Sequence, residues 1–276
     1  SVACPAAVIA RMVAGRSHAE ATLRSRLTPM RRRWPLLLGI VAVVALFAAV
    51  VGWLWLTDLV DPMPETVAAT EPSPAVSVET EPWLTFDPED RSDTGYIFYP
   101  GGRVPPEAYA PAARDIAEAG YLVVVPSMPF GLAVLGQDTA DDIIAAYPEV
   151  ERWVIGGHSL GGAMAASYAE GHEAEFDGLS LWAAYPPGGT DLSDRDIVVS
   201  SVYATEDGLT SIEEIDASRD QLPPDAVFTE IVGGNHAGFG WYGPQDGDGE
   251  ASISRQEQQA QTVAATLDLL AAVDAG

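Results

Sequence analysis

The sequence contains no lysine, one cysteine and four histidines, and each scarcity excludes something. A single thiol, Cys4, cannot form an internal disulfide or a multi-cysteine metal site. Beyond His18 the histidines are His158, His172 and His236, with no HExxH or other close pair. A dedicated transition-metal site is therefore disfavoured, and no cofactor is expected. Positive charge is scarce as well: 14 arginines face 40 acidic residues, for a net charge of −26 at pH 7. Residues 1–33 hold seven of those arginines and one acid, so they sum to +6 and the rest of the chain to −32. A body this acidic repels phosphate backbones and anionic surfaces, which argues against nucleic acid as a partner. Solubility or salt adaptation is the plain reading of that acidity.

Charge of either sign is missing from Trp34 to Leu56, WPLLLGIVAVVALFAAVVGWLWL. As a helix these 23 residues extend about 35 Å, enough to cross a bilayer core. Arg31, Arg32 and Arg33 stand directly before the run, and tryptophans mark both of its ends. The expectation is a single transmembrane anchor with the N-terminus in the cytoplasm and the remaining chain extracytoplasmic. A cleaved signal peptide, giving a secreted protein, is the alternative, although Trp53-Leu54-Trp55-Leu56 is a poor cleavage context. The expected organisation is a basic cytoplasmic tail (1–33), the anchor (34–56), a Pro/Glu-rich linker (57–82) and a folded domain (83–276). Residues 1–29, ahead of Met30, read as an extended gene start or a short arm. Within the linker, Ala75–Thr80 alternates weakly, as an edge strand does.

From Trp83 onward, short β-branched runs alternate with helical stretches, the pattern of an α/β protein with a mostly parallel sheet and helices on both faces. Strands are expected at Gly95–Tyr99, Tyr121–Val125, Trp153–Ile155, Gly178–Ala184, Asp196–Tyr203 and Ala226–Val232. Helices are expected near Pro106–Ala119 (closed by Gly120), Asp138–Ala146, Ala163–Glu170, Ile212–Arg219 and Ser254–Val273.

One pentapeptide carries chemistry. Gly157-His158-Ser159-Leu160-Gly161 has the form G-x-S-x-G, between the apolar RWVI and the small-residue segment GGAMAASYA. A serine held on so tight a strand-to-helix turn needs glycine two residues to either side. Its hydroxyl becomes a nucleophile only when a base takes its proton. Two histidines follow it. His172 comes just past the elbow helix, at the wrong end of the sheet. His236 follows the last strand in a Gly-rich loop, at the carboxyl edge where such sites assemble, and is the candidate base. Asp207, after SSVYAT, is the candidate acid that orients the imidazole, with Glu206 the neighbouring alternative. Oxyanion donors are expected from the backbone N–H of Leu160 and of Gly102, with Arg103 next in line. Trp182, Tyr185, Phe239, Trp241 and Tyr242 are candidates to line an apolar pocket, core packing being the stronger reading for Trp182.

Together, YPGG (99–102), GHSLGG (157–162), TEDG (205–208) and GGNHAGFG (233–240) resemble the α/β-hydrolase superfamily. The likeness is greatest to its small, cap-less bacterial branch, the alpha/beta hydrolase family 5 domain, related to dienelactone-hydrolase-like proteins. The loops PSMPFGLAVLG (126–136) and FGWYGPQDGDG (239–249) also look like that branch. The resemblance spans roughly Trp83 to Ala272. It implies an α/β-hydrolase fold, a Ser159–Asp207–His236 triad and a small-molecule acyl or ester substrate. Dienelactone hydrolases proper carry cysteine where this chain has Ser159, so their substrate is not implied. The expected activity is that of a membrane-anchored serine hydrolase of carboxylic esters. An acyltransferase with the same triad, or a catalytically silent binding module on the same fold, is the alternative.

Overall fold

The computed structural model describes Leu38, residues 41–47, Val50, Gly52 and residues 59–276 except 173 and 174. The chain divides into two compact units, Ser1–Thr57 and Asp58–Gly276. In the first, residues 41–47 are helical and solvent-exposed. Among the described residues no helix is long and apolar enough to cross a membrane. Most of the expected anchor, 34–56, lies outside the described residues, as does the whole of the basic tail.

The second unit is built on one eight-stranded sheet in the order β1-β2-β4-β3-β5-β6-β7-β8. The strands are β1 (Val76–Glu79), β2 (Leu84–Pro88), β3 (Thr94–Tyr99), β4 (Leu122–Val125), β5 (Arg152–His158), β6 (Gly178–Trp182), β7 (Val198–Ala204) and β8 (Val227–Ile231). β1 and β2 pair antiparallel, as do β2 and β4, whereas β4, β3 and β5 through β8 are parallel to their neighbours. The helices are α1 (Glu65–Ala69), α2 (Ala110–Glu118), α3 (Thr139–Ala146), α4 (Leu160–Gly171), α5 (Ile212–Ala217) and α6 (Arg255–Ala275).

Side-chain alternation along the strands divides the core into two layers. Tyr96 and Phe98 of β3 join Val123, Val125 and Trp182 in the layer beneath α2 and α6. Ile97 and Tyr99 face the other way, into a layer with Val124, Ile155 and Leu181 beneath α3 and α4. Both faces of β3 and β4 are buried, which explains why YIFY and LVVV read as unbroken apolar runs. Each fully buried aliphatic side chain here contributes about 1.5–3 kcal/mol relative to exposure. Gly120 ends α2 at φ +102, a conformation that a Cβ disfavours, as expected for a helix stop.

Two differences from the sequence reading bear on the site. β2 is not among the expected strands, because LTFDP is short, follows Pro82 closely and itself ends in Pro88. The segment read as a linker up to residue 82 is not a free spacer over its described part. It carries α1, with Thr66 and Ala69 buried, and, where an edge strand was expected at 75–80, β1, paired with β2 at the edge of the sheet. Ahead of α1, Val60 N–H donates to Arg103 O (3.0 Å), Met63 N–H to Trp241 O (2.9 Å), and Pro62 bridges to Tyr242. Backbone pairing of this kind needs no apolar pattern, so the Pro/Glu-rich composition concealed it.

Candidate active site

Ser159 stands between the end of β5 and the first residue of α4, with φ 53° and ψ −122°. A non-glycine residue adopts this region only under strain of roughly 1–3 kcal/mol, sustained by the structure around it. The surroundings are tight. A Cβ on Gly157 would come within 2.5 Å of Tyr99 O, and one on Gly161 within 2.1 Å of the same oxygen. Ser159 N–H donates to Trp182 O (2.9 Å), tying the turn to β6. Local sequence thus forces the serine out at the sheet's carboxyl edge.

β7 and β8 deliver the other two residues to that edge. Asp207 Oδ2 and His236 Nδ1 are 2.8 Å apart, and both side chains are 1% exposed. Asp207 Oδ1 accepts the N–H groups of Leu209 (2.8 Å) and Thr210 (2.7 Å), so the carboxylate is held from its own loop as well. That arrangement fixes the proton on Nδ1 and leaves Nε2 as the basic nitrogen. His236 Nε2 is buried and, among the described residues, has no hydrogen-bond partner. Its ring lies 4.5 Å from that of His158, the residue before Ser159. Glu206 is exposed and makes no contact with the imidazole. His172 packs on Tyr168 at the far end of α4, 3.9 Å between ring centroids, remote from this edge as expected.

The N–H of Leu160, the first residue of α4, has no intrahelical acceptor and sits at the positive end of the helix. Gly102 lies against the side chain of Leu160: a Cβ there would stand 3.4 Å from Leu160 Cδ2. Arg103, the alternative donor, is already committed, its N–H donating to Gly131 O at 2.7 Å. The 126–136 loop therefore holds the glycine loop in place. Beside Gly102 opens a cleft of ≈ 630 Å³, walled by Leu59, Val104 and Tyr242, with Asp61, Arg103 and Asp246 at its rim. Of the five aromatic residues considered as pocket lining, Tyr242 lines this cleft. Trp182, Phe239 and Trp241 are buried, and Tyr185 hydrogen-bonds to Glu214.

Several residues at the site went unforeseen. Tyr109 Oη accepts Gly101 N–H (3.0 Å) and pairs with His158 Nδ1 (2.9 Å). Burial holds the Tyr109 phenol well above its ordinary value, so the hydroxyl keeps its proton at this shared contact. Burial, and then the neighbouring His236, hold the His158 imidazole well below its ordinary value, so it is neutral. The loop carrying His236 is wrapped in a similar way. Asn235 exchanges two bonds with Gln258 of α6 (3.0 and 2.7 Å), and Arg255 binds the carbonyls of Ala237 and Gly240. Asp248 accepts several N–H groups of the loops carrying Asp207 and His236. The only sequence signals for these residues were the repeated DGDG at 246–249 and a Gln-rich first turn in α6.

The strand order, the strained serine turn and the buried Asp–His pair at the carboxyl edge define an α/β protein of hydrolase type. Residues 95–260 match the alpha/beta hydrolase family, and the chain belongs to that family. No curated protein sequence matches it. Among solved structures it is similar to one described as a predicted CIB-like hydrolase from Thermoplasma acidophilum. That match has 16% identity and a TM-score of 0.50, covering 71% of this chain and 99% of that one. It is also similar to TT1662 from Thermus thermophilus, at 12% identity and a TM-score of 0.52, covering 73% and 99%. At these identities the likeness is one of fold.

Proposed function

We propose that this protein is a serine hydrolase of carboxylic esters, with Ser159 as nucleophile, His236 as general base and Asp207 as the acid that orients the base. The observation that carries the reading is the buried 2.8 Å pair of His236 Nδ1 and Asp207 Oδ2, which leaves Nε2 unpartnered among the described residues at the edge where the strained turn presents Ser159. In this mechanism Nε2 takes the Ser159 proton as Oγ attacks the ester carbonyl. The N–H groups of Leu160 and Gly102 receive the developing oxyanion. His236⁺ then gives its proton to the departing alcohol, and water, activated in the same way, releases the acid from the acyl-enzyme. The contact between Ser159 and Nε2 closes when substrate binds, as such contacts commonly do.

We place the substrate in the cleft beside Gly102, whose walls of Leu59, Val104 and Tyr242 suit a small acyl or alcohol group. We further propose that residues 34–56 anchor the chain in the cell membrane with the hydrolase unit extracytoplasmic, on the strength of the uncharged run behind Arg31–Arg33. The enzymatic reading is tested by treating the full chain in detergent with a fluorophosphonate probe, alongside Ser159→Ala. Labelling of the wild type alone is expected. A folded wild type that does not label would leave the protein as a binding module on a hydrolase fold. The anchor is tested by external protease on intact cells, which should remove the hydrolase unit.

A further inference from the structure

We infer that Asp248 is a positioning residue that locks the acid loop to the base loop, an inference that rests on the roles proposed above for Asp207 and His236. Asp248 Oδ1 accepts the N–H of Gly208 (3.2 Å), of His236 (3.0 Å) and of its own neighbour Gly249 (2.8 Å). Its Oδ2 accepts the N–H of Ala237 (2.8 Å). Gly208 directly follows Asp207, and His236 is the base itself. One carboxylate from a third loop thus grips both partners of the Asp207–His236 pair through their own main chain.

The surrounding backbone is built for this grip. A Cβ on Gly208 would meet Gly247 O at 2.3 Å, and one on Gly249 would meet Glu206 O at 1.9 Å. The 206–208 and 247–249 segments therefore lie backbone against backbone, an approach open only to glycine. Asn235 adds a second tie, donating to Gly249 O (2.8 Å) and accepting from Gly238 N–H (3.0 Å). Just past β7 and β8 the two loops are already joined, Glu206 N–H donating to Gly234 O (2.9 Å) and Gly233 N–H to Thr205 Oγ1 (2.8 Å), but these ties stop short of Gly208 and of His236. Asp248 supplies the missing constraint, at the main chain, on the direction in which Nε2 faces.

A carboxylate has acceptor sites for all four N–H groups, whereas an amide has only one oxygen. Asp248→Asn keeps the shape but sets an NH₂ against a backbone N–H, at Ala237 if its oxygen takes the place of Oδ1. In the full chain, Asp248→Asn should lower kcat on a p-nitrophenyl ester by roughly 100-fold with KM little changed, because a misplaced base loses rate and not substrate affinity. A second readout does not depend on activity. The proton NMR signal of His236 Nδ1–H, held against Asp207, should be present at low field in the wild type and in Ser159→Ala, and lost or shifted upfield in Asp248→Asn. A folded Asp248→Asn with wild-type kcat, or with that signal unmoved, overturns the inference. So does a variant that fails to fold, since Asp248 would then be a stability residue. Should the wild type hydrolyse no ester, the proposed function fails, while the proton signal still decides the role of Asp248.

Discussion

The hydroxyl of Tyr109 lies 2.9 Å from His158 Nδ1 and receives the N–H of Gly101 on its other side. Three segments of chain meet at that oxygen: the glycine loop after β3, the start of α2 and the last residue of β5. The pair joins the loop bearing Gly102 to the strand end that precedes Ser159, so the two proposed oxyanion donors are held in one frame. Gly101 leaves room for this, since a Cβ there would stand 2.8 Å from His158 Nδ1.

Tyr109→Phe keeps the ring and deletes the shared oxygen, leaving Gly101 N–H and His158 Nδ1 buried without partners. The expected cost is about 1–3 kcal/mol of stability. A drop in kcat of about tenfold should accompany it as Gly102 loosens, with KM nearly unchanged. Chemical denaturation and ester kinetics on the same preparation check both. A variant that loses stability but keeps its full kcat would show that the pair serves the fold alone.

The serine turn makes an opposite demand on stability and on chemistry. Ser159→Gly relieves the positive φ and should raise the unfolding free energy by up to about 1 kcal/mol while abolishing fluorophosphonate labelling. Gly161→Ala should do the reverse, forcing a methyl group into Tyr99 O and destabilising the protein by about 1–3 kcal/mol or more. Thermal melts of the two variants, compared with the wild type, decide the matter. A Ser159→Gly protein less stable than its parent contradicts the strain argument.

Asp207 and Glu206 are neighbours with different expected fates. Asp207→Asn should reduce kcat by as much as about 10⁴-fold, because an amide at this position selects the wrong imidazole tautomer. Glu206→Gln, at an exposed side chain, should leave kcat within about twofold. Equal effects from both changes would reject Asp207 as the sole partner of His236.

Acid should weaken the fold through His158. Buried and neutral in the folded chain, it takes up a proton in the unfolded chain below about pH 6.5. The unfolded state then holds more protons, so stability is full above that pH and falls as the pH drops toward the folded-state value. The slope approaches about 1.4 kcal/mol per pH unit. Urea midpoints measured from about pH 7.5 down to about pH 5.5 should show this loss, and His158→Gln should flatten it. A slope unchanged in the variant would assign the acid sensitivity to other groups.

Leu59 precedes the expected start of the folded domain yet lines the cleft beside Gly102. Leu59→Trp should fill part of that space. On a series of p-nitrophenyl esters, kcat/KM should fall about tenfold for the longest acyl chains and little for acetate. A uniform change across the series would place the substrate elsewhere.

Much of this site was legible because its signals are local. The turn around Ser159 is written in two glycines, a preceding apolar strand and a following small-residue helix, all between Arg152 and Gly171. The candidates Asp207 and His236 could be named because parallel strands deliver successive loops to one edge, so that position after a strand stands in for position in space. Glu206 and Asp207 were separable only once the loop was seen to turn one carboxylate inward. β2 was missed because a five-residue strand that ends in proline carries too little pattern.

The order of elements from β3 onward, the serine turn and the loops that carry its candidate partners follow from the sequence by itself. Each is set by steric limits or by side-chain period over a few neighbouring residues. Only the tertiary structure decided that Arg103 N–H is spent on Gly131, that the segment before α1 walls the cleft, and that Tyr109 and Asp248 grip the loops. Those contacts join residues far apart in the chain, 49 between Tyr109 and His158 and 40 between Gly208 and Asp248. A hydrogen bond over such a span leaves no periodicity behind, because it depends on where two loops come to rest and not on what surrounds either one in sequence.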